Sequence, residues 1–109
     1  MGIVRRSFLR LAGGALLATA RRGEAAAATI AIDNFSFTPA LLQVAASTPV
    51  TWANHDDIPH SIVCPALGFH SHVLDSDETF TFQFMQAGSF DYFCSLHPHM
   101  KGRVVVRPA

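Results

Sequence analysis

From Ala28 onward the hydrophobic positions fall in short runs of strand length, and none of them repeats with the 3.6-residue period of an amphipathic helix. Glu78 to Phe84 alternates most clearly. Phe80, Phe82 and Phe84 share one face and Thr79, Thr81 and Gln83 the other, which places the three aromatic rings in the core. Thr29 to Ile32 alternates, Leu41 to Ala45 is a short apolar run, and Val50-Thr51-Trp52 lies between Pro49 and the turn-forming cluster Asn54 to Asp57. Phe90 to Cys94 and Arg103 to Val106 complete the set. Pro65 to Ser76, interrupted by Pro65 and Gly68, carries no pattern and reads as a loop or irregular crossover. Strands about every ten residues, separated by Pro, Gly, Asn and Asp, predict an all-β chain folded as a Greek-key β-sandwich.

The first 27 residues have a different logic. Arg5-Arg6-Ser7-Phe8-Leu9-Arg10 opens an apolar run from Leu11 to Ala20, followed by Arg21-Arg22 and the small residues Ala25 to Ala28. Charged, apolar and small segments in that order form an export signal, cleaved to leave a single domain over 28–109. The ten-residue run makes about 15 Å of helix, half the thickness of a hydrocarbon core, so no permanent membrane span is expected. The Arg-Arg pair followed by Ser-Phe-Leu resembles a twin-arginine signal, which implies export to the periplasm.

With 109 residues, half of them hydrophobic and only 15% charged, the chain has room for one ordinary domain and no character of a disordered one. The formal charge of zero hides an asymmetry, because five of the eight basic residues precede position 23. Residues 28–109 keep Lys101, Arg103 and Arg107 against seven acidic side chains, a net charge of −4 with histidines neutral. A nucleic-acid binder is expected to carry the opposite sign. A domain of about 80 residues has a thin core, so a disulfide or a metal is expected to contribute to its stability.

The chemistry gathers near the C-terminus. Cys94-Ser95-Leu96-His97-Pro98-His99-Met100 spaces a thiol, an imidazole and a thioether three residues apart between two strands. His60, in Ile58-Pro59-His60-Ser61 at the start of another strand, can close a His₂Cys plane with Met100 as a weak axial ligand. That is the donor set of blue-copper electron-transfer sites, in which sulfur donors favour Cu(I) and imidazoles accept both oxidation states. A second arrangement is open to the same residues: a Cys64–Cys94 disulfide with Tyr92 two residues before the second cysteine, as in immunoglobulin domains. Against it, Trp52 precedes both cysteines, and His97 and Met100 are left unexplained. In the metal reading Cys64 is a buried core thiol.

The ligand loop, Thr51-Trp52, Ile58-Pro59-His60, the Ala87-Gly88-Ser89-Phe90-Asp91-Tyr92 run into Cys94, and the closing Lys101 to Val106 together resemble the cupredoxin family over the whole exported domain. The short Cys-x-x-His-x-x-Met spacing looks most like the amicyanin members of the family, whereas the plastocyanin-like members have a longer His-to-Met spacing. The resemblance implies one type 1 copper on His60, Cys94, His97 and Met100. It also implies Ser61 and Ser95 as second-shell residues joining the two ligand segments by hydrogen bonds, although Ser61 stands where the family usually has asparagine. His97 would reach the surface through an apolar patch that includes Pro98, with Phe93 extending it.

The function implied is a monomeric shuttle of single electrons between redox proteins, with a periplasmic dehydrogenase as donor and a cytochrome c as acceptor. The alternative is a periplasmic protein for copper storage, delivery or resistance, but the chain lacks the Met- and His-rich tracts that copper carriers often display. No Gly-rich phosphate loop, Gly-x-Ser-x-Gly elbow or His-Glu-x-x-His helix is present, and Met100 would fill the position a copper enzyme leaves open, so no turnover is expected. His70 and His72 make an incomplete second metal pair, and His55 and His99 read as loop side chains.

Overall fold

A computed structural model describes residues 27–109. The export segment, read as residues 1–27, lies outside them except for its last residue. The described residues form nine strands: β1 (Ala28–Asp33), β2 (Ser36–Thr38), β3 (Leu41–Ala45), β4 (Pro49–Asn54), β5 (Val63–Cys64), β6 (Phe69–His70), β7 (Thr79–Gln83), β8 (Gly88–Phe93) and β9 (Lys101–Arg107). They make two sheets, one of five strands in the order β3-β9-β8-β5-β6 and one of four in the order β2-β1-β4-β7. Within each sheet one pair is parallel, β3 with β9 and β1 with β4, and the remaining pairs are antiparallel. This is the β-sandwich expected from the spacing of the apolar runs. No helix among the described residues is long and apolar enough to cross a membrane.

Alternation along the strands builds the core between the sheets. Ile30 and Ile32 of β1, Val50 and Trp52 of β4, Phe90 and Tyr92 of β8, and Val104 and Val106 of β9 all point inward and are buried. Trp52 is the hub, with ring centroids 5.3 Å from Tyr92, 6.0 Å from Phe80 and 6.4 Å from both Phe69 and Phe84. Burying an aromatic or branched side chain contributes about 1.5–3 kcal/mol, so this cluster supplies much of what holds the sandwich together. Phe84 is fully interior, whereas Phe80 and Phe82 only pack against the core from β7, the edge strand of its sheet. A single chemical face can therefore be half-covered, because no further strand lies beyond it.

The stretch from Pro65 to Ser76 is more ordered than its sequence suggested. It contains β6, whose His70 and Phe69 pair with Val63 and Cys64, and an isolated bridge from Leu74 to His60. His60 is therefore not the first residue of a strand but is pinned three residues ahead of one. Two-residue strands are too short for alternation to register. The three-residue β2 was missed for the same reason.

Tyr92 and Gly102 face each other across β8 and β9, and the phenol ring lies over the glycine so closely that a Cβ at 102 would run into it. Burial pushes the Tyr92 phenol up to about 12. The indole N–H of Trp52 is near enough to oppose that shift, yet outside hydrogen-bonding geometry. Two outcomes follow for thermal unfolding. Gly102→Ala should lose about 1–3 kcal/mol through overpacking; an unchanged melting temperature would contradict this placement of the ring. In the wild type, an unfolded tyrosine ionises near pH 10 while the native one stays neutral. Stability should accordingly fall as pH rises from about 10 to 12, and Tyr92→Phe should remove that alkaline limb.

Candidate metal centre

Three donors from two segments converge at one end of the sandwich. One ring nitrogen from each of His60 and His97 and the Sγ of Cys94 all lie within 4.8 Å of one another. Cys94 Sγ is 3.7 Å from His60 Nδ1 and 3.8 Å from His97 Nδ1. A trigonal site with a metal–sulfur distance of about 2.3 Å and metal–nitrogen distances of about 2.0 Å requires sulfur–nitrogen separations of about 3.7 Å. The donors are therefore spaced for a single small metal ion. Softness selects among such ions: one thiolate and two imidazoles with a thioether at hand fit one type 1 copper.

Each donor is delivered by local structure. Phe90, Tyr92 and then Cys94 point inward on the β8 alternation, so the thiol continues the buried face just past the end of the strand. The loop 94–100 then closes between paired Phe93 and Lys101, with the Met100 N–H donating to the His97 carbonyl at 2.9 Å and the Cys94 N–H to the Met100 carbonyl at 3.1 Å. These bonds put Met100, only 3% exposed, beside the thiol-bearing residue. His60 is held by two backbone bonds with Leu74, of 3.1 and 2.7 Å, and is fully buried. His97 is half-buried, which leaves its ring a route to the surface.

The two segments that carry the candidate donors are joined by hydrogen bonds through Ser61 and Ser95. Ser61 Oγ lies 2.6 Å from Ser95 Oγ and accepts the Ser95 N–H at 3.1 Å. The Ser61 N–H donates to Cys94 Sγ at 3.4 Å, a further tie between the same two segments. Cys64 and Cys94 are both buried free thiols, so the disulfide arrangement is not formed. Burial pushes the Cys64 thiol up, consistent with an inert core residue.

Asp56 is not among the residues that the sequence marks for the site. Asp56 Oδ2 sits 2.8 Å from His60 Nε2, the ring nitrogen opposite the donor atom. Its two oxygens also accept the Asn34 and Phe35 N–H groups of the β1–β2 turn at 2.8 and 3.0 Å. The Phe35 bond above all, and then those from His60 and Asn34, hold the Asp56 carboxyl below its usual range against a counteracting effect of burial. Asn54, fully buried, shapes the approach: its amide donates to the Ile58 and Leu74 carbonyls at 2.9 Å, and its oxygen accepts the Asp56 N–H at 2.9 Å. Asn and Asp there had registered only as turn formers.

Other sequence candidates lie apart. His55, His70, His72 and His99 are exposed, and the one group of three or more metal-binding side chains among the described residues is His60, Cys94 and His97. Phe93 faces outward as expected, but into a groove of about 430 Å³ lined by Ala40, Pro65, Asp91 and Arg103. The aromatic side chain that reaches His97 is Phe35, 5.0 Å away between ring centroids.

A family model, the cupredoxin-like domain, matches residues 8–106. The chain belongs to the cupredoxin family. It is 32% identical over 101 residues to the amicyanin-alpha of Methylorubrum extorquens, covering 88% of this chain and 84% of that one. It is 29% identical over 85 residues to the amicyanin of Paracoccus versutus, covering 73% of this chain but only 64% of that relative's length. Among solved structures, the purple cupredoxin of Nitrosopumilus maritimus superposes with a TM-score of 0.69 at 31% identity, over 72% of this chain and 98% of that one. An oxidised methionine-to-leucine mutant of amicyanin gives 0.70 at 28% identity, over 72% and 80%. The cupredoxin fold thus accounts for the described residues, and Asp56 shows how this member orients its buried imidazole.

Carboxylates that orient a ligand imidazole typically account for 10- to 100-fold in metal affinity. Asp56→Asn, which replaces one acceptor oxygen by a donor, should weaken copper binding on that order in a chelator competition; wild-type affinity would contradict the role. In the metal-free protein the stabilisation by Asp56 is complete above its unfolded value of about 4 and is lost as pH falls through the lowered native one. Acid unfolding curves of wild type and variant should converge there.

Proposed function

We propose that this cupredoxin is exported to the periplasm, would hold one copper on His60, Cys94 and His97 with Met100 as a fourth, weaker ligand, and passes single electrons between redox proteins. The donor triangle carries this reading, because its 3.7 and 3.8 Å sulfur–nitrogen separations already match a trigonal site. Bound copper supplies the one-electron couple between Cu(I) and Cu(II). The protein's part is to fix the donors. His60 is oriented by Asp56, Cys94 receives the Ser61 N–H, and the Ser61–Ser95 bond holds the segments together, so a change of charge at the site meets a frame that has little freedom to rearrange.

The similarity to amicyanins supports an electron carrier, and the periplasmic location rests on the Arg5-Arg6 segment and its apolar run. The resemblance suggests a dehydrogenase as donor and a cytochrome c as acceptor. With a net charge of −4 over residues 28–109, the fastest exchange is expected with basic partners, at rates that fall with ionic strength as charges beyond about 8–10 Å are screened.

Two measurements test the reading. The copper-loaded protein should exchange electrons rapidly while a strong chelator removes its copper slowly; fast release with sluggish exchange would favour storage or delivery. Met100→Leu should keep copper and raise the redox potential, since removing the fourth donor leaves a three-coordinate site, which suits Cu(I) better than Cu(II). An unchanged potential would remove Met100 from the ligand set.

A further inference from the structure

The β1–β2 turn is built against its backbone preference. Asn34 and Phe35 sit at φ +51° and +58° in a two-residue connection between paired Asp33 and Ser36. Two successive left-handed residues make the kind of tight hairpin that Asn-Gly satisfies without strain. Asparagine tolerates the first position, but a phenylalanine at the second is out of place. Such strain persists only where its surroundings impose it, and here the Asp56 carboxylate does so by accepting both turn N–H groups.

The strained position does not bury the side chain. Phe35 remains 41% exposed. What it does gain is contact with both imidazoles of the donor triangle: its ring meets His60 edge-on at 5.6 Å and 90°, and His97 at 5.0 Å and 87°. The two histidines differ in what else holds them. His60 has Asp56 on its Nε2, whereas no hydrogen bond from the described residues reaches the Nε2 of half-buried His97. Packing must therefore do for His97 what a carboxylate does for His60.

We propose that Phe35 is a positioning residue of the metal centre, a cap fixed by Asp56 that keeps the His97 imidazole in its donor orientation and water off the ring faces. The role rests on the ligand assignment proposed above. It explains why an aromatic residue occupies a turn position suited to glycine, and it gives Asp56 two tasks, orienting one imidazole directly and the other through Phe35.

The test compares wild type with Phe35→Gly, Phe35→Leu and Phe35→Tyr. Phe35→Gly should leave the melting temperature of the metal-free protein unchanged or raised, because the turn is relieved. It should also release copper to a chelator faster, on the order of tenfold. In the metal-free protein, the His97 ring protons should lose the shift imposed by the neighbouring aromatic edge and show averaged, mobile resonances. Phe35→Tyr should restore both properties. Should Phe35→Gly not fold, Phe35→Leu, which keeps apolar bulk but not the aromatic edge, must show the same loss of the His97 shift. Unchanged His97 resonances and copper release in a folded variant would overturn the proposal, as would a lowered melting temperature with unchanged release. If the wild type takes up no copper, the ligand assignment fails, while the His97 resonances of the metal-free protein still decide the contact with Phe35.

Discussion

One carboxylate links the parts that must agree for the site to exist. Asp56 leaves the end of β4 in the four-stranded sheet, takes hold of the β1–β2 turn of the same sheet, and reaches the ring of His60, whose backbone is paired to the segment beyond β6 of the other sheet. Its negative charge is kept by the N–H donors around it, and that charge in turn fixes which face of the imidazole is turned toward Cys94. A charged hydrogen bond in a partly buried setting is stronger than a neutral one, and its geometry is correspondingly strict. Without Asp56, the His60 ring, the turn and Phe35 would each lose their anchor together.

The rest of the site is laid on strands rather than suspended in loops. Alternation along β8 brings Cys94 to the buried face, the pairing of Phe93 with Lys101 fixes the width of the ligand loop, and the Ser61–Ser95 bond joins that loop to the segment bearing His60. A donor set held this way needs little reorganisation when charge changes, the property a one-electron carrier requires. The contrast between fully buried His60 and half-buried His97 makes the site asymmetric: one side is insulated, and the other is open to solvent.

Much of this was legible in the chain because it depends on local periodicity or on spacing. Leu41 to Ala45 is the observed β3 residue for residue, and Phe80 to Phe84 traces the inward face of β7 and its end. The Cys-x-x-His spacing pointed to two of the three side chains that the fold brings together, Cys94 and His97. What escaped depends on chain segments meeting in space. β2 and β6 are held by their neighbours, not by any preference that two or three residues can express. Asp56 and Asn54 looked like ordinary turn residues, since nothing in Asn-His-Asp-Asp says that one carboxylate will turn back onto a histidine and the other outward. Phe35, beside Asn34, read as neither strand nor site until the hairpin and the two imidazoles were seen together.

The central claim, that the protein presents a His₂Cys triangle already spaced for copper, is tested most directly by adding Cu(II) to the protein and recording its visible absorption and electron paramagnetic resonance spectra. An intense thiolate-to-copper band at one copper per chain, with narrow copper hyperfine splitting, is the predicted result. A colourless protein, or a copper signal with the wide splitting of nitrogen and oxygen ligands alone, would contradict it by showing that Cys94 is not a ligand.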